Sequence, residues 1–182
     1  MKFTTYKYIP KKEIKNAAIF SGICFSAAAA LLISSVFIPD FKILYELSAV
    51  IFATAGVQIT ARFILSGYVY ILDKTDFIIL KITGRKSSQM CNLPLESSID
   101  ILKKQKNFSD TESKFGKITV RKNFCQNMFS IKSYAYIFEY DEKKSAVIFD
   151  ADKNFVKEMK RRINYAQSQP KNDFNDFTED DF

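Results

Sequence analysis

The chain has 182 residues, a net charge of +7, 47% apolar residues, three cysteines and no histidine. Without histidine there is no ordinary imidazole base, no serine-type triad and no histidine metal site. Beyond its apolar stretches the chain is long enough for one small domain with its own core and a tail.

Four segments follow from charge and hydropathy. Residues 1–15 form a basic N-terminal segment of net charge +4; residues 16–67 are neutral overall; residues 68–166 carry +7; residues 167–182 carry −4. In the first, residues 3–9 (FTTYKYI) are aromatic and β-branched enough for a strand, and Pro10 sits where a helix can begin at Lys11.

The second segment reads as a transmembrane helical hairpin. Ala17 to Ile38 is 22 residues without a charge, which as a helix rises about 33 Å and crosses a hydrocarbon core of about 30 Å. Ile43 to Leu65 is long enough to return, with Glu46 and Arg62 near its ends, where they can reach headgroups. Pro39-Asp40-Phe41-Lys42 is so short a link that the two helices must lie side by side and antiparallel. A secretory leader is a poorer description, because an h-region is shorter and ends at a small-x-small site, whereas this run continues into Phe-Ile-Pro-Asp. Lysines at 2, 7, 11, 12 and 15 face only Lys42 across the bilayer, so a multi-pass cell-membrane protein with both termini cytoplasmic is expected.

Within the hairpin, Gly22, Ser26, Ala30 and Ser34 form a small-residue stripe expected to face Ala49, Ala53, Gly56 and Thr60. Gln58 and Arg62 fall on the opposite side of the second helix. They suggest self-association, with Gln58 hydrogen-bonding to a second copy and Ala55 allowing close approach; Gln58 bonding within its own hairpin and Arg62 snorkelling are the structural alternatives.

From Tyr68 the period becomes alternating. Strands are expected over 68–72 and 77–82, joined by Asp73 to Asp76, then 87–93 and a weaker one over 98–102. A polar loop over 105–116 precedes strands over 117–125, 133–140 and 145–149, giving six or seven in all. Asp150 or Asp152 can cap a closing helix whose apolar stripe is Phe155, Met159, Ile163 and Ala166. The acidic tail over 167–182 is too polar to bury a core.

Consecutive strands closed by one amphipathic helix is the element order of a pleckstrin-homology-like barrel. The chain resembles small bacterial membrane proteins that carry a two-helix hairpin ahead of a PH-like, or YcxB-like, domain. The resemblance rests on GYVYILDKTDFIILKITGRKS, CNLPLESSIDI and YIFEYDEKKSAVIFDADKNFVKEM, and departs from the pattern at Ala151, where such domains often have a proline. It implies an α+β membrane protein with an antiparallel sheet or partly closed barrel and a C-terminal helix, and it brings no catalytic residue.

Chemistry is thinly represented. The Asp73/Asp76 and Asp150/Asp152 pairs are explained by a turn and a helix cap, and Gly84-Arg85-Lys86-Ser87-Ser88 lacks phosphate-loop spacing and reads as a hairpin turn. No cysteine pair has CxxC spacing, and reduced, buried thiols are expected. The basic charge fits apposition to an anionic inner leaflet better than nucleic acid, with Lys7, Lys11, Lys12 and Lys15 as lipid contacts. The expected function is a membrane-anchored interaction or regulatory module with no catalytic activity, cofactor or metal, acting on lipid, on itself or on a protein partner. The alternative is a structural subunit of an oligomeric membrane complex or transporter in which the hairpin carries the function.

Overall fold

The computed structural model describes residues 3–103, 115–130, 132–140 and 143–168. Most of the loop expected over 105–116, half of the turn at 141–144 and nearly all of the acidic tail lie outside these residues. The order is β1 (Tyr6–Tyr8), α1 (Ile14–Phe37), a 3-10 turn (Pro39–Phe41), α2 (Lys42–Ile59), a π-helical turn (Thr60–Leu65), β2 (Ser66–Leu72), β3 (Asp76–Thr83), β4 (Lys86–Pro94), β5 (Ser98–Lys103), β6 (Val120–Asn123), β7 (Ser133–Tyr140), β8 (Lys143–Asp150) and α3 (Lys153–Ser168).

The two long helices are apolar and long enough to cross a membrane. Their outward faces are bare: Phe37, Ile43 and Val50 are 78%, 82% and 61% exposed. The seam between them is built from small residues, but not all of the expected ones. α1 buries Ala17, Ser21, Ala28 and Ser35, with the Gly22 row turned away; α2 buries Ala49 and Gly56, with Ala53 and Thr60 partly covered. A Cβ on Gly22 would meet nothing within 4 Å, whereas one on Gly56 would lie 3.1 Å from Phe25 Cζ and 3.3 Å from Cys24 Cβ. The two rows of α1 are one residue apart and both small, so size alone did not separate them. The hydroxyls did: Ser21 Oγ is 2.7 Å from Thr60 Oγ1, and Thr60 donates to Gly56 O at 2.9 Å, pairing polar groups at the seam.

The β elements form two four-stranded sheets, in the orders β1-β2-β3-β4 and β5-β7-β8-β6. The α+β class holds, with a correction to the expected antiparallel sheet or partly closed barrel of six or seven strands: there are eight strands in two sheets among the described residues, no closed barrel, and β6 runs parallel to β8. Within the basic N-terminal segment, β1 lies inside the strand expected over 3–9 and pairs with β2 through Tyr6↔Leu72 and Tyr8↔Tyr70. The hairpin is therefore inserted into the sheet domain between its first two strands. At the other end Gln167 and Ser168 extend α3 beyond the expected limit at 166.

The core between the sheets is aromatic. Phe77 packs 5.2 Å from Phe149 and 5.8 Å from Tyr136, and Tyr70 lies 5.5 Å from Phe149. α3 closes it with Phe155, Met159, Ile163 and Ala166, the stripe expected from spacing, and Asp152 caps it by accepting from Phe155 N at 2.7 Å. Gly84, with φ +60°, makes the two-residue β3–β4 turn, so the Gly-Arg-Lys-Ser stretch is a hairpin connection.

Candidate functional site

The chain passes between the hairpin and the sheets twice, at residues 9–13 and 64–68, and one loop fastens both passages. Gln126 accepts from Tyr68 N at 2.7 Å and donates to Ser66 O at 3.3 Å on the returning strand. Asn127 accepts from Glu13 N at 2.7 Å and donates to Lys11 O at 2.9 Å on the outgoing one. The loop is held from behind by buried Asp150, whose carboxylate accepts from Gln126 N, Asn127 N and the Ser130 hydroxyl. Lys12 adds a cross-link, donating to Ile64 O at 2.6 Å and Ser66 O at 2.9 Å, and satisfying carbonyls at the end of the π-helical turn. Burial lowers the Lys12 pKa. Together these bonds orient the sheets against the end of the hairpin.

Beside this neck lies an open cleft of about 530 Å³, lined by Gln58, Arg62, Lys81, Thr83, Tyr68 and Asn123 among others. Arg62 comes from the π-helical turn, Lys81 and Thr83 from β3. Arg62 donates to Asn123 O at 3.0 Å and its guanidinium carbon lies 5.2 Å from the Phe63 ring centre, which fixes the head group at the cleft wall. Lys81 stands opposite Tyr68 in the β2–β3 ladder, on the row that carries Phe77 and Ile79 into the core. Where that row leaves the core it becomes Lys81 and Thr83. Burial raises the Tyr68 pKa, with Arg62 pulling the other way, so the phenol stays protonated at neutral pH. Among the described residues no ion pair engages Arg62 or Lys81.

The residues singled out from sequence are dispersed. Gln58 and Arg62 share the cleft, while Ala55 is partly buried and does not line it. Arg62 binds the sheet domain of its own chain. Lys7, Lys11 and Lys15 are exposed, whereas Lys12 is half-buried with its ammonium on two carbonyls. The Asp73/Asp76 pair is a turn, with Asp73 N donating to Asp76 O at 2.9 Å.

Lys81, Gln126 and Asn127 were not anticipated. The signal for Lys81 was its parity with Phe77 and Ile79, hidden because the other parity of β3 (Ile78, Leu80, Ile82) is equally apolar. Gln126 and Asn127 stand in an irregular loop with no periodicity. No family model, no curated protein and no solved structure matches this chain.

Proposed function

We propose that this protein is a membrane-anchored, non-catalytic interaction module of the PH-like, YcxB-like kind, with both termini cytoplasmic and the sheet domain held on the inner leaflet. The observation that supports it is the insertion of the hairpin between β1 and β2, with both passages bonded to the Gln126-Asn127 loop. A domain that only trailed from a hairpin would be free to tumble. One fastened at two passages presents a fixed face to the bilayer and a fixed face to the cytoplasm, which suits recruitment. The paired carboxylates have structural partners: Asp73 accepts from the Thr5 hydroxyl and Asp76 from that of Thr75, Asp152 caps α3, and Asp150 anchors the loop.

The test is photo-crosslinking in native membranes from Met90 on β4 and Val120 on β6, both exposed, beside Val50 on the hairpin. Discrete adducts from the strands support an interaction domain. Adducts from Val50 alone would favour a complex in which the hairpin does the work. In the same cells, with Cys24, Cys91 and Cys125 replaced, an impermeant maleimide should reach a cysteine at Asp40 and not one at Ser88; the reverse would refute the orientation.

A further inference from the structure

We infer that the cleft at the neck binds the phosphate-bearing headgroup of an anionic phospholipid, with Arg62 and Lys81 supplying charge and Gln58 and Thr83 neutral polar contacts. The inference rests on the membrane placement proposed above and assigns a ligand class to a site on it.

Depth is the first argument. Gln58 lies seven residues before Leu65, about 10 Å along the helix from the start of the sheets, where hydrocarbon gives way to headgroups. An amide in hydrocarbon is costly, and at this level a headgroup can satisfy it. Charge is the second. Arg62 uses one of its five N–H donors on Asn123 O. Lys81 is a lysine on a core-facing row with no carboxylate paired to it among the described residues, a placement that packing does not explain. Local backbone is the third. The π-helical turn that ends α2 over Thr60–Leu65 carries Arg62 to the cleft wall, one turn before the chain enters β2. The volume is within the range of small-ligand sites, and Leu65 at its lip and Val57 on the same helix, 59% and 57% exposed, are apolar surface on which an acyl chain can lie.

The chain has no tryptophan, so Leu65→Trp gives a single reporter at the lip. The full chain carrying it is reconstituted in phosphatidylcholine nanodiscs containing either dibrominated phosphatidylglycerol or dibrominated phosphatidylcholine. Two surface cations contribute roughly fivefold each to anionic lipid affinity, and the factors multiply, so a preference of about 25-fold for the brominated phosphatidylglycerol is expected, falling within about twofold of unity in the Arg62→Gln/Lys81→Gln variant. A Lys7→Gln/Lys11→Gln/Lys15→Gln variant should keep the preference. Equal quenching by the two lipids, a preference that survives Arg62→Gln/Lys81→Gln, or one lost with the three lysines would overturn the site. Loss of the preference in millimolar inorganic phosphate would assign the cleft to a soluble phosphate and overturn the lipid. Absence of quenching by either lipid would instead refute the membrane placement, and the site with it.

Discussion

Replacing Arg162 by methionine keeps the aliphatic stem in the core and removes the head group that ties both ends of the fold together. The residue is 2% exposed. Its Nη1 donates to Leu72 O at 2.7 Å and Asp73 O at 2.8 Å, its Nη2 to Thr4 O at 2.7 Å, and its Nε to Glu158 at 2.9 Å. α3 is thereby fixed to the β2–β3 turn and to the strand that precedes the hairpin. The Leu72, Asp73 and Thr4 carbonyls each lose a hydrogen bond from a charged donor, at about 1–1.5 kcal/mol apiece. Glu158 keeps Arg161 as a partner, so its charge is not stranded. The total is about 4 kcal/mol, which in a domain of this size lowers the melting temperature by about 15 °C. The assay is near-ultraviolet circular dichroism melting of the full chain in nanodiscs, with hydrogen exchange at residues 4–8 as the local readout. Arg161→Met is the control: that side chain is 55% exposed and its ion pair with Glu158 is worth under about 1 kcal/mol. A melt within about 3 °C of the parent, with residues 4–8 still protected, would refute the argument that this guanidinium holds β1 in place.

Two further outcomes follow from packing and titration. Gly56→Val should weaken the helix pair by about 1–3 kcal/mol, read as earlier unfolding in nanodiscs, because its Cβ meets Phe25 and Cys24; Gly22→Val should change stability by less than about 0.5 kcal/mol. Equal effects would mean the helices meet along the other row. Tyr136, whose hydroxyl donates to Pro94 O at 3.1 Å, has its pKa pushed up to about 12 by burial, so its neutral form is favoured in the folded state. Its contribution is complete below the ordinary tyrosine value near 10 and is lost at about 1.4 kcal/mol per unit as pH rises towards 12. Tyr136→Phe should flatten that part of the alkaline denaturation profile relative to the parent; an unchanged slope would show that the phenol is not titrating with unfolding.

How much of this was legible in the sequence depends on the range of the interaction that fixes each feature. Local patterns carried well: the two apolar runs, the short Pro39 link, the β2–β3–β4 hairpins and the stripe Phe155-Met159-Ile163-Ala166 each need only neighbours in the chain, and each is present. Features set by distant partners did not. A strand within residues 3–9 is legible, but its place in the sheet is not, because nothing near it shows that Leu72 and Tyr70, more than 60 residues on, will take its hydrogen bonds. The strand expected over 117–125 shrinks to Val120–Asn123, the stretch that pairs with Ser145 to Ile148 of β8, and Phe124 turns inward to the core. Gln58 shows the same limit from the other side. Helical phasing placed it correctly away from the small-residue seam, and a hairpin considered alone then leaves a second copy as its natural partner. The folded chain supplies Lys81 and Thr83 at the same cleft, from a strand that pairs with β2 and so returns to the end of α2. These placements make opposite demands on Gln58→Leu. If the amide serves a dimer, the substitution weakens self-association in nanodiscs and leaves the preference for phosphatidylglycerol intact. If it serves the cleft, the preference falls and the oligomeric state does not change, because the seam of Ala17, Ser21, Ala28, Ala49 and Gly56 lies on the other side of the helix.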